Sequence, residues 1–162
     1  MAQFDAFLKI DGIDGESADA KHKGEIDILS WTWGETNSGT MHQGGGGGAG
    51  KVSVQDIHFT HQMSKASPKL FEACAAGQHI KKAVLVCRKA GTDQQPYLTF
   101  TFTDLLVSSY QTGGHGEGSV IPTESVTLNF AKIEMEYKEQ KDDGTLAGKF
   151  TAGWDLKANK KV

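Results

Sequence analysis

The amino-acid sequence predicts a mainly β fold, a barrel or a sandwich, with one short helix packed on the sheet. Most segments between turns alternate apolar and polar residues with a period of two, which is typical of half-buried strands. The turns are rich in glycine, and one segment alone has apolar residues at helical spacing. The 162 residues show no linker between two cores, so we expect a single domain over residues 1–162.

Seven segments have the pattern of strands. In residues 2–10, Ala6, Leu8 and Ile10 share one apolar face, and Phe7 is the exception on the other face. Within residues 51–60 the apolar face changes phase, which indicates a bulge or a strand contacted on both faces. The predicted strands cover residues 2–10, 25–34, 51–60, 80–88, 96–107, 124–138 and 149–157.

The segment 124–138 changes its apolar face partway along. Its apolar residues stand first at even and then at odd positions: Val126, Leu128 and Phe130, then Ile133, Met135 and Tyr137. One explanation is a strand that leaves its own core and packs against a neighbouring subunit. The other is a bulge inside one domain, and the sequence leaves both explanations open.

A helix is predicted over residues 68–76. Ser67 is placed to cap its N-terminus, and Pro68 suits the first helical position. Gly77 can end the helix in a left-handed conformation. The residues expected on the buried stripe are Leu70, Phe71, Cys74 and Ala75.

Composition excludes several classes of protein. Seventeen basic and twenty acidic residues give a net charge of −3, and no basic run exceeds Lys160 and Lys161, which argues against binding of nucleic acid. The N-terminus lacks the pattern of a cleavable signal peptide, and no window has about 18 apolar residues, so we expect no membrane insertion. Cys74 and Cys87 are expected to be small buried residues, although a disulfide between them stays open.

The glycine run resembles a phosphate-binding loop without meeting its requirements. Gly45 and Gly50-Lys51 have the spacing of that motif, but Val52 stands where a hydroxyl would hold magnesium. The segment that follows alternates as a strand, whereas a phosphate loop opens a helix. We therefore expect no nucleotide and no cofactor here.

No other group of residues indicates catalysis or metal binding. His58 and His61 are three apart, so on a strand they point to opposite faces and cannot hold one metal ion together. The carboxylate pairs Asp142-Asp143 and Glu134/Glu136 have the positions of a turn and a solvated strand face. The sequence predicts a protein that is not an enzyme, with no catalytic residue and no metal site.

Two tryptophans and two hydroxyl residues alternate in the second strand. Trp31 and Trp33 are expected in the core or at a subunit interface, because each buries a large apolar area. Ser30 and Thr32 form the opposite face, which is small and polar and could line a cavity.

Nine short segments, each weak alone, occur in one order between residues 30 and 131, within a similarity that runs from about residue 4 to about residue 157. They are 30–34 (SWTWG), 38–42 (SGTMH), 49–52 (AGKV), 55–56 (QD), 74–77 (CAAG), 88–91 (RKAG), 106–109 (LVSS), 112–114 (TGG) and 126–131 (VTLNFA). Together with the glycine run they resemble the Hcp (haemolysin co-regulated protein) family of bacterial type VI secretion.

This resemblance implies a β-barrel of two sheets with a helix on one side, similar to phage tail-tube proteins. It implies a homo-hexameric ring that stacks on further rings as the inner tube of a contractile injector. The implied partners are the spike protein at the tube tip, the surrounding sheath and secreted effectors carried in the ring. The protein would be made in the cytoplasm and released by type VI secretion without a cleaved signal peptide.

The tube needs a lateral contact that closes the ring and an axial contact that stays open. The lateral candidates are Asn129, Ile133, Met135 and Tyr137 in the strand that changes face. The axial candidates lie in the loop 36–50 and at its end: Ser38, Met41, His42, Gln43, Gly44, Gly45, Gly46, Gly47, Gly48 and Lys51. The candidates for the lumen wall and for cargo are Ser30 and Thr32.

Two other classes of function stay open. A monomeric barrel that binds a small ligand would need a roomy apolar interior with a few converging polar groups. An enzyme that acts on phosphates through the glycine loop would bind nucleotide with magnesium.

Overall fold

The computed structural model describes residues 4–39, 41, 50–89, 94–118 and 121–162, and eleven strands and one helix lie within these ranges. The strands are β1 Phe4–Ile10, β2 Ile26–Ile28, β3 Ser30–Thr32, β4 Glu35–Asn37, β5 Val52–Val54, β6 Ile57–Gln62, β7 Ile80–Lys89, β8 Pro96–Gly113, β9 Thr123–Gln140, β10 Leu146–Asp155 and β11 Lys160–Lys161. The helix α1 spans Ala66–Ala76. The predicted mainly β class with one short helix is confirmed.

Nine strands form one sheet, and β4 and β5 form a second, two-stranded sheet. The main path of the large sheet runs β11-β10-β9-β8-β7-β1-β2 with antiparallel neighbours. Strand β6 also pairs with β9, and β3 pairs with β6. Among the described strands the two ends of the path, β11 and β2, do not pair. The expected barrel is therefore not closed by hydrogen bonds between its edge strands.

Strand β9 is the junction of the large sheet. One of its edges pairs with β8 from Thr123 to Tyr137. Its other edge pairs with β6 from Thr123 to Leu128 and with β10 from Lys132 to Gln140. The sheet therefore divides at β9 into a branch made of β6 and β3 and a branch made of β10 and β11.

The predicted change of apolar face lies at this division. In β9 the buried positions pass from Phe130 to Ile133, and in β8 they pass from Phe102 to Leu105. The register of the two strands is unchanged across this point, so no extra residue is inserted as it would be in a bulge. Instead Asp104 of β8 adopts a positive φ of 54°, and the β8–β9 pair turns there so that the other side of each strand meets the core.

Two segments predicted as single strands are divided. Leu29 separates β2 from β3: its N–H donates to Thr60 O at 2.9 Å, and its side chain is 53% exposed. Because β2 pairs with β1 whereas β3 pairs with β6, the chain passes from one layer to the other at Leu29. Residues 51–60 are divided likewise, since β5 pairs with β4 and β6 belongs to the large sheet. That division explains the change of phase seen in the sequence.

The core fills the space between the layers. Trp31 on β3 meets Phe100 on β8 edge-on at 5.3 Å between ring centroids, and Phe102 lies 5.0 Å from Phe130. The other members are mostly aliphatic and include Leu8, Ile10, Ile57, Leu85 and Leu128. Trp31 and Trp33 are half-buried against this core, in agreement with the core alternative of the sequence prediction. Cys87 is buried and Cys74 half-buried, and both are free thiols.

Helix α1 begins earlier than predicted and turns a different side toward the sheet. Lys65 holds the N-cap position without a side-chain cap, so the prediction that Ser67 caps the helix is wrong. The buried residues are Ala66, Ser67, Leu70 and Ala73. Phe71 is 63% exposed and Ala75 is also exposed, because the helix packs on the sheet through the stripe 66-70-73. Gly77 ends the helix with φ 58°, as predicted.

Phe7, the exception in the alternation of β1, belongs to a second cluster outside the main core. Its ring stacks on His22 at 4.4 Å between centroids, and the guanidinium of Arg88 lies 4.8 Å from its centre. Arg88 is 2% exposed and donates to Asp19 and Asp5. The hydrogen bond from Arg88 lowers the pKa of Asp19 to about 2. This cluster fixes the loop 11–24 on β1 and β7.

A buried polar network fixes helix α1 to the sheet. Glu124 on β9 is fully buried and accepts a hydrogen bond from Ser67 Oγ at 2.5 Å and another from Tyr110. His61 on β6 is also fully buried, and its Nε2 lies 3.3 Å from Glu124 Oε1. Burial lowers the pKa of His61, and the carboxylate opposes that shift only partly. Burial raises the pKa of Glu124, but the hydrogen bonds from Ser67, Tyr110 and Thr112 outweigh it and leave the pKa lowered.

We expect the free energy of unfolding to fall as the pH is lowered from about 7 to about 4. The pKa of His61 lies below 6.5 in the fold, so the unfolded chain binds that proton at higher pH and gains stability below pH 6.5. The pKa of Glu124 lies below 4.5, so its contribution is present above pH 4.5 and is lost below it. Urea unfolding across this range should show a smaller loss for His61→Gln than for the wild type between about pH 7 and 5.

The matched control is His79→Gln, since His79 is 68% exposed beside Asp104. This variant should keep the pH dependence of the wild type. Ser67→Ala should lower stability by about 1.5–3 kcal/mol, because it removes a donor to a buried charge. The assignment is wrong if His61→Gln and the wild type lose stability equally.

Candidate functional site

The outward side of β3 and β6 is a surface of hydroxyl groups. Ser30 and Thr32 are exposed and lie opposite Thr60 and His58 in the register. Ser30 Oγ and Thr60 Oγ1 are 2.6 Å apart and form a hydrogen bond. The sequence placed Ser30 and Thr32 on the side away from the tryptophans, and the alternation with Trp31 and Phe59 puts them there.

This surface continues across β9 and β8. Thr127 is the register partner of both His58 and Ser109, and its Oγ1 lies 2.6 Å from Ser109 Oγ. We call the set Ser30, Thr32, Thr60, Ser109 and Thr127 the hydroxyl face. Every member of this set is neutral, and several of them bond to one another; His58 lies among them, opposite Thr32 and Thr127.

Asn129 lies at the edge of the hydroxyl face. Its Nδ2 donates to Asp56 Oδ1 at 2.8 Å, and Ser108 Oγ donates to Asp56 Oδ2 at 2.6 Å. Asn129 precedes the turn of the β8–β9 pair, whereas Met135 and Tyr137 follow it. The structure therefore separates Asn129 from the other residues considered for the lateral contact.

Beyond the turn, β9 and β10 carry exposed apolar side chains. Tyr137 and Phe150 are register partners and are 42% and 60% exposed, and Met135 is 37% exposed. We call Met135, Tyr137 and Phe150 the apolar strip. Ile133, two residues before Met135, is buried at 6% exposure in the core of the chain itself. Along this side of β9 the apolar residues therefore pass from the buried Ile133 to the exposed Met135 and Tyr137.

A groove separates the apolar strip from the hairpin of β4 and β5. Its volume is about 710 Å³, and its lining includes Trp33, Val52, Phe100, Met135 and Trp154. The indole Nε1 of Trp33 donates to Gln55 O at 3.0 Å. The indole Nε1 of Trp154 is buried and meets no acceptor among the described residues. The groove is mainly apolar and wide enough for a side chain of another molecule.

The opposite side of the same strands is charged. Lys149 lies 3.6 Å from Glu136, Lys138 lies 3.8 Å from Glu136, and Lys132 lies 3.9 Å from Glu134. Ion pairs of this length at a surface stabilise little, but they keep that side hydrated. Of the two sides of β9 and β10, the strip is the one suited to contact with protein.

The hairpin of β4 and β5 holds the start and the end of the glycine-rich loop. Asn37 Nδ2 donates to Gly50 O at 2.7 Å and joins the two strands at their open end. A Cβ atom at Gly50 would lie 2.4 Å from Ser38 Oγ, so this position requires glycine. Met41 is 80% exposed, and Ser38 and Lys51 are also exposed. His42, Gln43, Gly44, Gly45, Gly46, Gly47 and Gly48 lie outside the described residues.

The two histidines three apart take different environments. His58 is half-buried on the outward side of β6, whereas His61 is buried beside Glu124. Within the described part of the chain, no group of three or more His, Cys, Asp or Glu side chains could hold a metal ion. The same residues include no helix long and apolar enough to cross a membrane.

Sequence reasoning missed the groove and the part that β10 contributes to it. Phe150 and Trp154 share one parity in the predicted strand 149–157, and that pattern was a usable signal. The hairpin that forms the other wall gave no such signal, since Glu35–Asn37 has no apolar residue. Its position follows from pairing with β5.

Comparison with known proteins gives consistent results. The family model described as "Type VI secretion system effector, Hcp" matches residues 7–137. The sequence is 49% identical over 157 residues to "Protein hcp1" of Pseudomonas aeruginosa, which covers 96% of both chains. The crystal structure of Hcp1 from Salmonella typhimurium matches with a TM-score of 0.83 and 46% identity over 99% of this chain and 100% of that one. A structure titled as a type six secretion system protein matches with a TM-score of 0.93 and 36% identity over 98% and 99%.

Proposed function

The chain belongs to the Hcp family of type VI secretion proteins, and we propose that it is the structural subunit of the secretion tube. Six copies form a ring, rings stack into the tube, and the tube is secreted and carries effector proteins in its lumen. The observation that carries this proposal is the division of β9: its first half presents the hydroxyl face and its second half presents the apolar strip.

The apolar strip is the proposed lateral contact. Met135 and Tyr137 lie on β9, which is paired along both edges, and Phe150 is the register partner of Tyr137 on β10, so these side chains cannot fold back into the core. A neighbouring copy that covers them would gain about 1.5–3 kcal/mol for a fully buried large side chain. Repetition of this contact by rotation closes a ring. Ile133 supports the strip from beneath, and Asn129 lies outside it.

The hairpin is the proposed axial contact. Ser38, Met41 and Lys51 are exposed at its open end, where the sequence between the two strands contains the glycine run. A glycine-rich loop loses conformational entropy when it docks, so the contact is weak and reversible. With weak axial and stronger lateral contacts, each ring would stay intact when the tube comes apart.

The hydroxyl face is the proposed wall of the lumen. Neutral hydroxyls already bonded to one another offer a folded cargo hydrogen bonds without strong charge attraction. Such a wall would hold an effector and also release it. The further partners proposed are the spike protein at the tube tip and the sheath around the tube. The protein is made in the cytoplasm and leaves it by type VI secretion.

The groove favours one alternative, a monomer that binds a small ligand. Its volume of about 710 Å³ is within the range of small-molecule sites, about 300–1,000 Å³. The two functions differ in the mass of the protein in solution. A mass near six times 17.4 kDa by light scattering supports the ring, and a monomer at high concentration supports the ligand site.

Replacement of Phe150 by Lys tests the lateral contact. Because the side chain is 60% exposed, the variant should melt near the wild-type temperature, yet it should need at least about tenfold more protein to form rings. Light scattering over a dilution series measures this change. The control is Thr151→Lys, which adds the same charge on the other side of the strand and should assemble normally. Assembly of Phe150→Lys at wild-type concentrations would count against the proposal.

Deletion of Gly44–Gly48 tests the axial contact. Rings should persist, while the fraction of protein that sediments as tubes should fall several-fold, because the shortened loop no longer reaches the next ring. Exchange of the five glycines for Gly-Ser-Gly-Ser-Gly keeps the length and should preserve tubes. Unaltered tube formation after the deletion, or loss of the rings, would contradict the assignment.

Replacement of Thr32 by Arg tests the lumen wall. Six added guanidinium groups should block an effector of the same secretion system from co-purifying with the ring, while the mass of the ring stays unchanged. Asp14→Arg, in the exposed loop 11–24, is the control and should retain the effector. Normal binding by Thr32→Arg would show that the hydroxyl face is not the cargo surface.

A further inference from the structure

An apolar notch lies at the end of β6 that is farther from the hairpin. Leu29 is 53% exposed and Met63 is 40% exposed, and both line a depression of about 150 Å³. Glu16 and Asp27 form its acidic rim. We call Leu29, Met63, Glu16 and Asp27 the notch.

The backbone holds these side chains in place. Leu29 is the single residue between β2 and β3, and its N–H donates to Thr60 O at 2.9 Å. Met63 follows β6, and its N–H donates to Pro122 O at 2.8 Å. Both apolar side chains are thus presented to solvent on a fixed frame, where burial by a partner would need little rearrangement.

The notch and the hairpin stand at opposite ends of one strand. Strand β6 begins at Ile57, three residues after the hairpin strand β5, and ends at Gln62, directly before Met63. Its six residues span about 20 Å at about 3.3 Å each. The hydroxyl face lies along this strand between the two ends. If the hydroxyl face lines a channel, the hairpin lies at one opening of the channel and the notch lies at the other opening.

The charges of the two ends are complementary. Glu16 and Asp27 are exposed and form no ion pair with another residue that the structure describes. Lys51 of the hairpin is exposed and is likewise without an ion pair among those residues. Met41, farther along the same hairpin, is 80% exposed. One end therefore offers an apolar side chain followed by a cation, and the other offers an apolar depression with an anionic rim.

We propose that the notch receives the hairpin of a second copy of this chain, stacked end to end. Met41 of one copy enters between Leu29 and Met63 of the next, and Lys51 meets Asp27 and Glu16 on the rim. This contact joins two unlike surfaces, so it leaves a free hairpin and a free notch at the ends and extends without limit. The proposal rests on the tube function and supplies its receiving surface.

A charge exchange tests the pairing. Asp27→Lys and Lys51→Asp should each form rings of wild-type mass but lower the sedimenting tube fraction at least about fivefold, as expected for a lost or reversed charge pair at an interface. The double variant Asp27→Lys/Lys51→Asp should recover more than half of that fraction. Asp142→Lys, at an exposed turn, is the control and should stack normally. Normal stacking by the single variants, or no recovery by the double variant, overturns the proposal.

A cross-link tests the contact when rings do not form long tubes. With Cys74→Ser as background, Leu29→Cys and Met41→Cys should give a disulfide between chains of different rings, seen as particles of two or more ring masses under oxidation. A disulfide within one chain, or none, overturns the proposal. A wild-type protein that stays monomeric would refute the tube function itself, whereas rings without cross-link or charge effect would refute the notch alone.

Discussion

Strand β9 forms backbone hydrogen bonds with three other strands, and the rest of the structure depends on that constraint. It has 18 residues and pairs with β8 on one edge, while its other edge passes from β6 to β10 after Leu128. A single layer cannot follow both β6 and β10 and still enclose a core. The β8–β9 pair therefore turns at Asp104 of β8, which has a positive φ, and keeps its register across the turn. On the two sides of this turn, opposite sides of each strand are buried in the core.

Buried polar contacts hold the parts that this turn leaves at the periphery. Helix α1 is too short to be stable alone, and it is joined to β9 by the bond from Ser67 to Glu124. The loop 11–24 is held by Arg88 and its two carboxylate partners. Glu124 and Arg88 both form their hydrogen bonds with residues of the same chain. Most of the exposed large apolar side chains lie on the strip, at the helix, at the notch and at Met41 between the hairpin strands.

This arrangement suits a subunit whose surfaces must act separately. The hydroxyl face is made of neutral groups, the strip is apolar, and the hairpin lies across the groove from the strip. Since each surface belongs to a different segment of the sheet, a change in one need not disturb the others. The proposed tube would benefit from that separation, because its lateral, axial and cargo contacts could each have their own strength.

The sequence by itself determined the fold class, the family, the existence of the longer strands and the glycine that ends the helix. These follow from local patterns: a period of two, turn residues, and short segments in a fixed order. It also located the change of face in residues 124–138, although it left the cause open. Tertiary structure alone decided that Leu29 divides one strand, that Phe71 faces solvent, and that Asn129 lies apart from Met135 and Tyr137. Each of these depends on which strand lies beside which. Periodicity gives the two sides of a strand, but the fold decides which side meets the core.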